Sequence, residues 1–340
     1  MGHCEHPITV VDDATGEIQS VRCGSRLKRV CKSCSALAKK DYQKLIQGGF
    51  TDVDTSKFVF YVLTLTAPSF GKTHFVPKVG RPLLRCACGR RHDPVSDAGM
   101  RGVPLDFEQY DYRGCVRWNN LVGHLWDSTR AKLQVALPGF SYAKVYEFQE
   151  RGALHLHAIF RVPVAERIEP DQLRDIARST VRRDGMRWGE VADCQQIRQV
   201  ADLDSFVRYM AKMLVYVTKD SAGEVSALSP MQRHHFWLLD KVAKTEFHCP
   251  RCGRMERPCL RLAHRRWGAR SSVFSKSLGS RRHLPWTELR RMGLKARRAE
   301  YTRMMARAAV ALKALQSMGH VAANMANGVN EIGRPMPLMV

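Results

Sequence analysis

Residues 141–162 read SYAKVYEF, QERG, ALHLHAIFRV, and how they pair decides the fold. Ser141–Phe148 and Ala153–Val162 are both apolar, aromatic and β-branched, so each reads as a strand, joined at Glu150-Arg151-Gly152. Side chains two apart on a strand share a face, which sets the imidazoles of His155 and His157 side by side. A divalent metal takes two nitrogen ligands in that arrangement; the alternative is a pair of solvated histidines. If Glu150-Arg151-Gly152 forms a three-residue turn with Gly152 left-handed, Glu147 lies opposite His155. A two-residue Arg151-Gly152 turn would place Phe148 there, and Gln149, of the same parity as Glu147, is the reserve. Two histidines and a carboxylate leave positions that phosphate oxygens can fill around Mg²⁺ or Mn²⁺.

Outward from this hairpin, Phe58–Thr66 (FVFYVLTLT) reads as another buried strand, and Gln195–Val200 as a further one. Helices are expected at Ser35–Ile46, Tyr112–Val135, Pro170–Arg183 and Asp204–Lys219, with a long Ala, Arg and Met-rich helix from about Trp286 to Met325. Beyond Asp220 the pattern reads as a loop, a cysteine group and a basic region around Trp267. Three regions follow: residues 1–50, residues 51–225 with a Pro, Gly and Arg-rich insertion at 72–108, and residues 226–340.

The helix Asp204–Lys219 carries Tyr209, Lys212, Tyr216 and Lys219. At about 100° per residue the four fall within an arc of roughly 80°. A lysine one turn from a phenol supplies the positive charge that an attack on a phosphodiester needs. Taken alone, the pattern also fits a solvated helix face.

The chain has 340 residues, with 55 Lys and Arg against 32 Asp and Glu, a formal charge of +23. Such a surplus attracts a polyanion, and with no lipid anchor or membrane signal that polyanion is expected to be nucleic acid. Hydrophobic residues at 44% exclude a disordered basic tail. No apolar run approaches the roughly 18 residues of a membrane span, and Met1–Pro7 is polar, so a folded cytoplasmic protein with no membrane partner is expected.

The 11 cysteines fall mostly in tight groups, which in a reducing compartment point to zinc rather than disulfides. Cys4, Cys23, Cys31 and Cys34 could make a four-thiolate knuckle. Cys86, Cys88 and His92 supply only three groups and could borrow a ligand from elsewhere. Cys249, Cys252, Cys259 and His264 have ligand-like spacing, although His264 could equally be a core or DNA-contacting residue. Thr66–Thr73 ends in Gly71-Lys72-Thr73 like a phosphate-binding loop, but it lacks the first glycine, and His74–Pro82 is a poor helix.

Strand FYVLTLT, then His-x-His on a strand, then Tyr-x-x-Lys on a helix, in that order, resembles the HUH endonucleases. Several stretches look more closely like the replication initiators of actinobacterial plasmids and their phage or integrative relatives: VLTLTAPSFG, CACGRRH, Tyr110–Tyr112, the helix around Trp118-Asn119, EFQERGALHLHAIF, YMAK with YVTK, and FSKS at Phe274–Ser277. The resemblance implies an α+β fold, a central antiparallel sheet, or palm, with packed helices, to which the cysteine spacing and the tail's composition add zinc-binding insertions and a helical C-terminal tail. It implies an endonuclease that nicks single-stranded origin DNA through a 5′-phosphotyrosine, with His155, His157 and Glu147 on the catalytic metal. Tyr216-Val-Thr-Lys219 better resembles the half of the motif that carries the nucleophile in single-tyrosine initiators; Tyr209 is the alternative. The relatives run Tyr-x-x-Lys-Tyr-x-x-Lys, whereas Met213-Leu214-Val215 separate the halves here. A host helicase and polymerase are implied partners, in a bacterial cytoplasm. A rolling-circle transposase or mobilisation relaxase would share this chemistry; a non-catalytic zinc-stabilised DNA-binding regulator would need neither the metal pair nor the tyrosines.

Overall fold

The computed structural model describes residues 4–11, 18–25, 28, 30–197, 228–245, 266–269, 274–281 and 283–289. Five strands form an antiparallel sheet: β3 (Phe58–Leu65), β4 (Ser141–Phe148), β5 (Leu154–Pro163), β6 (Ala192–Ile197) and β7 (Phe274–Lys276). Their order is β6-β3-β5-β4-β7, so the histidine-bearing β5 is the central strand. Its near-continuous apolar run follows from that position, because both sheet faces are covered.

On one face, Leu154, Leu156, Ala158 and Phe160 of β5 and Tyr61, Leu63 and Leu65 of β3 join the main core. Helix α2 (Tyr112–Ala136) supplies Trp118, Val122, Leu125 and Trp126, and α3 (Pro170–Arg178) supplies Leu173 and Ala177. On the other face, the C-terminal half of α1 (Lys32–Thr51) packs Phe50 against Phe60 and Trp286, with ring centroids 4.9 and 5.3 Å apart. Gly49 allows this approach, since a Cβ there would lie 1.9 Å from the Trp286 ring. Buried Arg161 ties the layers together, donating to the carbonyls of Gly49, Pro285 and Trp286.

The result is an α+β protein with an antiparallel central sheet and packed helices. Two compact units divide the chain within α1; among the described residues the smaller holds those up to Asp41 and the larger those from Tyr42 to Leu289. The smaller contains a hairpin of β1 (Ile8–Val11) and β2 (Ile18–Val21). No described helix is long and apolar enough to cross a membrane.

Several elements differ from the sequence reading. Helix α4 (Pro230–Thr245) stands where a loop was expected; its His, Arg and Lys content masks a buried stripe of His235, Phe236 and Leu239. Helix α3 ends at Arg178 rather than Arg183, because Val181 pairs with Arg187 around a tight turn with Gly185 at φ 77°. Helix α1 extends beyond Ser35–Ile46 at both ends, and β6 starts at Ala192 rather than Gln195. Trp286–Leu289 is not helical; Trp286 is a fully buried core residue. After Gly71, Lys72 accepts from the Leu105 N–H in an irregular loop, so no helix N-terminus follows the phosphate-loop-like stretch. The helix read at Asp204–Lys219 and the tail from residue 290 lie outside the described residues.

Candidate functional site

The β4–β5 connection is a three-residue turn. The Gln149 N–H donates to the Ala153 carbonyl and the Gly152 N–H to the Gln149 carbonyl, both at 2.8 Å. Gly152 has φ 79°, where a side chain would be strained. The register therefore pairs Glu147 with His155 and Val145 with His157. Buried Asn119 of α2 holds the turn from below: Oδ1 accepts from the Leu154 N–H at 2.8 Å, and Nδ2 donates to the Gly152 carbonyl at 2.9 Å. The Trp118 indole donates to the Leu154 carbonyl at 2.8 Å.

Glu147 Oε2 lies 3.1 Å from His155 Nε2 and 3.7 Å from His157 Nε2, and the two nitrogens are 3.2 Å apart. Adjacent ligands on one octahedral ion with bonds of roughly 2.1 Å stand about 3.0 Å apart. The donor set thus fits three adjacent positions on a single cation. Burial opposes the Glu147 charge, but hydrogen bonds from His155 and His157 hold its carboxyl down at about 2. Burial lowers the His157 imidazole below its usual range, which keeps it neutral and able to ligate. Thr64 of β3, paired with His157 of β5, sets that ring: its hydroxyl lies 3.0 Å from Nδ1, leaving Nε2 to the cluster. The side-chain carbonyl of Gln149 accepts from Arg151 Nε at 3.0 Å, so Gln149 stands outside the cluster.

A second cluster brings His74 to Cys86, Cys88 and His92. His74 is the fourth group that the spacing Cys86-x-Cys88-x3-His92 lacked. Its Nδ1 lies 3.2 Å from His92 Nε2 and 3.9 Å from Cys86 Sγ, and Cys88 Sγ lies 3.2 Å from His92 Nε2. A tight turn at Gly89 brings Cys86 and His92 together. His92 Nδ1 donates to Asp97 Oδ2 at 2.9 Å, the carboxylate support common behind metal-bound histidines. In the smaller unit, Cys4, Cys23, Cys31 and Cys34 also converge, with Cys4 Sγ 3.9 Å from Cys31 and 3.6 Å from Cys34. Tetrahedral thiolates on bonds of about 2.3 Å are spaced near these values. Burial opposes ionisation of Cys31, yet the Ser33 hydroxyl and Cys34 N–H bring its thiol down to about 6. Cys115 and Cys194 belong to the core, where burial pushes both thiols up to about 12.

Tyr209, Lys212, Tyr216 and Lys219, and the group Cys249, Cys252, Cys259 and His264, lie outside the described residues. Thr64 and His74 were missed in the sequence. Thr64 could have been found from strand parity, whereas nothing near His74 marks it as a ligand.

The chain is 37% identical to a replication initiator protein of Streptomyces ambofaciens over 182 residues. That match covers 47% of this chain and 38% of the relative, so it spans well under half of the relative's length. No solved structure matches. The family model described as "Replication initiator protein, pSAM2" matches residues 1–315, and the chain therefore belongs to this replication initiator family.

Proposed function

We propose that the chain is a rolling-circle replication initiator of the HUH endonuclease type, nicking and rejoining single-stranded origin DNA. One observation carries the reading: in a chain of a replication initiator family, Glu147, His155 and His157 converge at the central strand, each offering one ligand atom to a common point. Mg²⁺ or Mn²⁺ bound there would supply Lewis-acid polarisation of a phosphodiester. His157 stays neutral through burial, Thr64 orients it, and ionised Glu147 adds the negative charge that holds a cation.

The attacking group is a phenol, Tyr216 before Tyr209. Its oxygen forms a bond to phosphorus, the bond from phosphorus to the 3′ oxygen breaks, and the phenolic proton passes in net terms to that leaving oxygen. The products are a 5′-phosphotyrosyl strand and a free 3′-hydroxyl that primes synthesis. Lys219 and Lys212 lower the cost of the phenolate and hold the phosphate. The same reading assigns Zn²⁺ to the Cys4, Cys23, Cys31, Cys34 cluster and to the His74, Cys86, Cys88, His92 cluster, and a third zinc to Cys249, Cys252, Cys259 and His264. A host helicase and polymerase would take over the primed strand.

Incubating the full chain with single-stranded origin DNA and Mn²⁺, then running a denaturing gel, tests the reading. A covalent adduct lost in His155→Ala, His157→Ala and Tyr216→Phe is the expected result. Loss in Tyr209→Phe with survival in Tyr216→Phe would reverse the nucleophile. An intact, DNA-binding protein that forms no adduct would be a regulator instead.

A further inference from the structure

Two neighbouring cavities meet at Phe75, whose side chain lines both and is 45% exposed. The larger, of about 1370 Å³, begins at Thr66 and Ala67, just past the end of β3, and runs between Lys72, Arg178 and Arg187. The smaller, of about 490 Å³, lies between the insertion and the hairpin turn and is lined by Lys78 and Arg81. Both include Phe75, Gln149 and Arg151, so the two adjoin as one groove beside the turn between the strands that carry Glu147 and His155.

Lys72, Lys78, Arg81, Arg178 and Arg187 are exposed, and among the described residues their side chains make no ion pair or hydrogen bond. Arg101 and Arg151 differ, since both are bound to main-chain carbonyls. Three carboxylates also line the cavities, Asp175, Glu190 and Glu150, and Asp175 is already bonded to Arg174. The balance is strongly positive. Phe75 is 45% exposed amid these charges, and its N–H points at Cys86 Sγ, 3.4 Å away. The Cys86–His92 module therefore fixes the backbone that presents the ring.

We infer that this groove is a track for single-stranded DNA in which Phe75 stacks on an unpaired base, so that the Cys2His2 module forms one wall of the DNA site. Free cations follow a phosphate backbone, and an exposed aromatic ring among them offers a base the π-face it needs once unpaired. A duplex keeps its bases stacked on each other and has no use for the ring. The inference rests on the proposed action on single-stranded DNA, but it is tested without cleavage.

Fluorescence anisotropy of the full chain with a dye-labelled oligothymidylate and with a blunt duplex, without added Mg²⁺ or Mn²⁺, provides the measurement. Phe75→Ala should weaken strand binding about tenfold and leave duplex binding unchanged, while Phe75→Trp keeps the wild-type affinity. The Lys78→Ala/Arg81→Ala variant changes no ligand and should reduce the salt slope for the strand by about 1.4. It decides the matter if Phe75→Ala loses zinc or folds poorly. Unchanged strand affinity in Phe75→Ala, equal losses for strand and duplex, or an unchanged slope in the double variant would overturn the inference. Strand binding through Phe75 without a covalent adduct would sink the nicking reading alone; an adduct with binding indifferent to Phe75 would sink this one alone.

Discussion

Thr64 and His157 show how a strand partner fixes the orientation of a ring. They pair across β3 and β5, and the hydroxyl 3.0 Å from Nδ1 fixes which nitrogen faces Glu147 and His155. Thr64→Val keeps shape and β-propensity but removes that partner. The expected outcome is a rise of about 10–100-fold in the Mn²⁺ concentration giving half-maximal adduct, with little change in melting temperature. An unchanged metal optimum would mean another group orients the ring. His235 offers a separate test of stability. It is almost fully buried, its Nε2 lies 3.1 Å from the Arg151 carbonyl, and Nδ1 accepts from the Tyr112 hydroxyl. Burial lowers its pKa to about 4. Since the unfolded imidazole takes its proton near 6.5, the unfolded state binds more protons between those values. Stability is then complete above about pH 6.5 and falls as pH drops toward 4, by about 3 kcal/mol in all. Denaturant midpoints of wild type and His235→Gln across that window check this: the variant should lose part of the slope, and parallel curves would refute it.

At the scale of elements, the two strands of the hairpin were legible and the His74, Cys86, Cys88, His92 cluster only half so. The two strands and the position of their turn could be read locally, but a left-handed Gly152 suits a two-residue and a three-residue turn alike, and the hydrogen bonds between Gln149, Gly152 and Ala153 set the register of Glu147 against His155. The choice between Glu147 and Gln149 needed the structure, which shows Gln149 engaged by Arg151. His74 was not legible, since it comes from the strand-like arm that pairs Thr73 with Pro104 and no spacing rule links it to Cys86. Helix α4 was missed for a different reason: its buried stripe is short and includes a histidine, so tertiary contact rather than pattern defines it. The module itself yields a prediction. Because Asp97 supports His92 through Nδ1, Asp97→Asn should weaken zinc binding about 10–100-fold, and His74→Ala should remove about one equivalent by metal analysis. Both should leave the Cys4 cluster loaded. Zinc content unchanged in His74→Ala would mean that the four groups do not share an ion.

For the whole molecule, charge would set the terms of the proposed contact with DNA. The surplus of 55 basic over 32 acidic residues is spread along the chain, and in the groove several cations have no partner among the described residues. Such charges contribute little to folding, because exposed cations without partners gain no Coulomb energy within the fold and repel one another. They release counterions when they meet phosphates. Affinity for DNA should therefore fall linearly on a log–log plot against salt, with a slope of about −0.7 per phosphate contact on a single strand and about −0.9 on a duplex. If the groove holds the strand, the Arg178→Ala/Arg187→Ala variant should flatten the strand's slope by about 1.4 and leave the duplex slope near wild type. Titrations of both DNAs at several salt concentrations read these slopes directly. A slope near zero for wild type would make the charge a solubility device, and equal flattening for both DNAs would place duplex phosphates in the same groove.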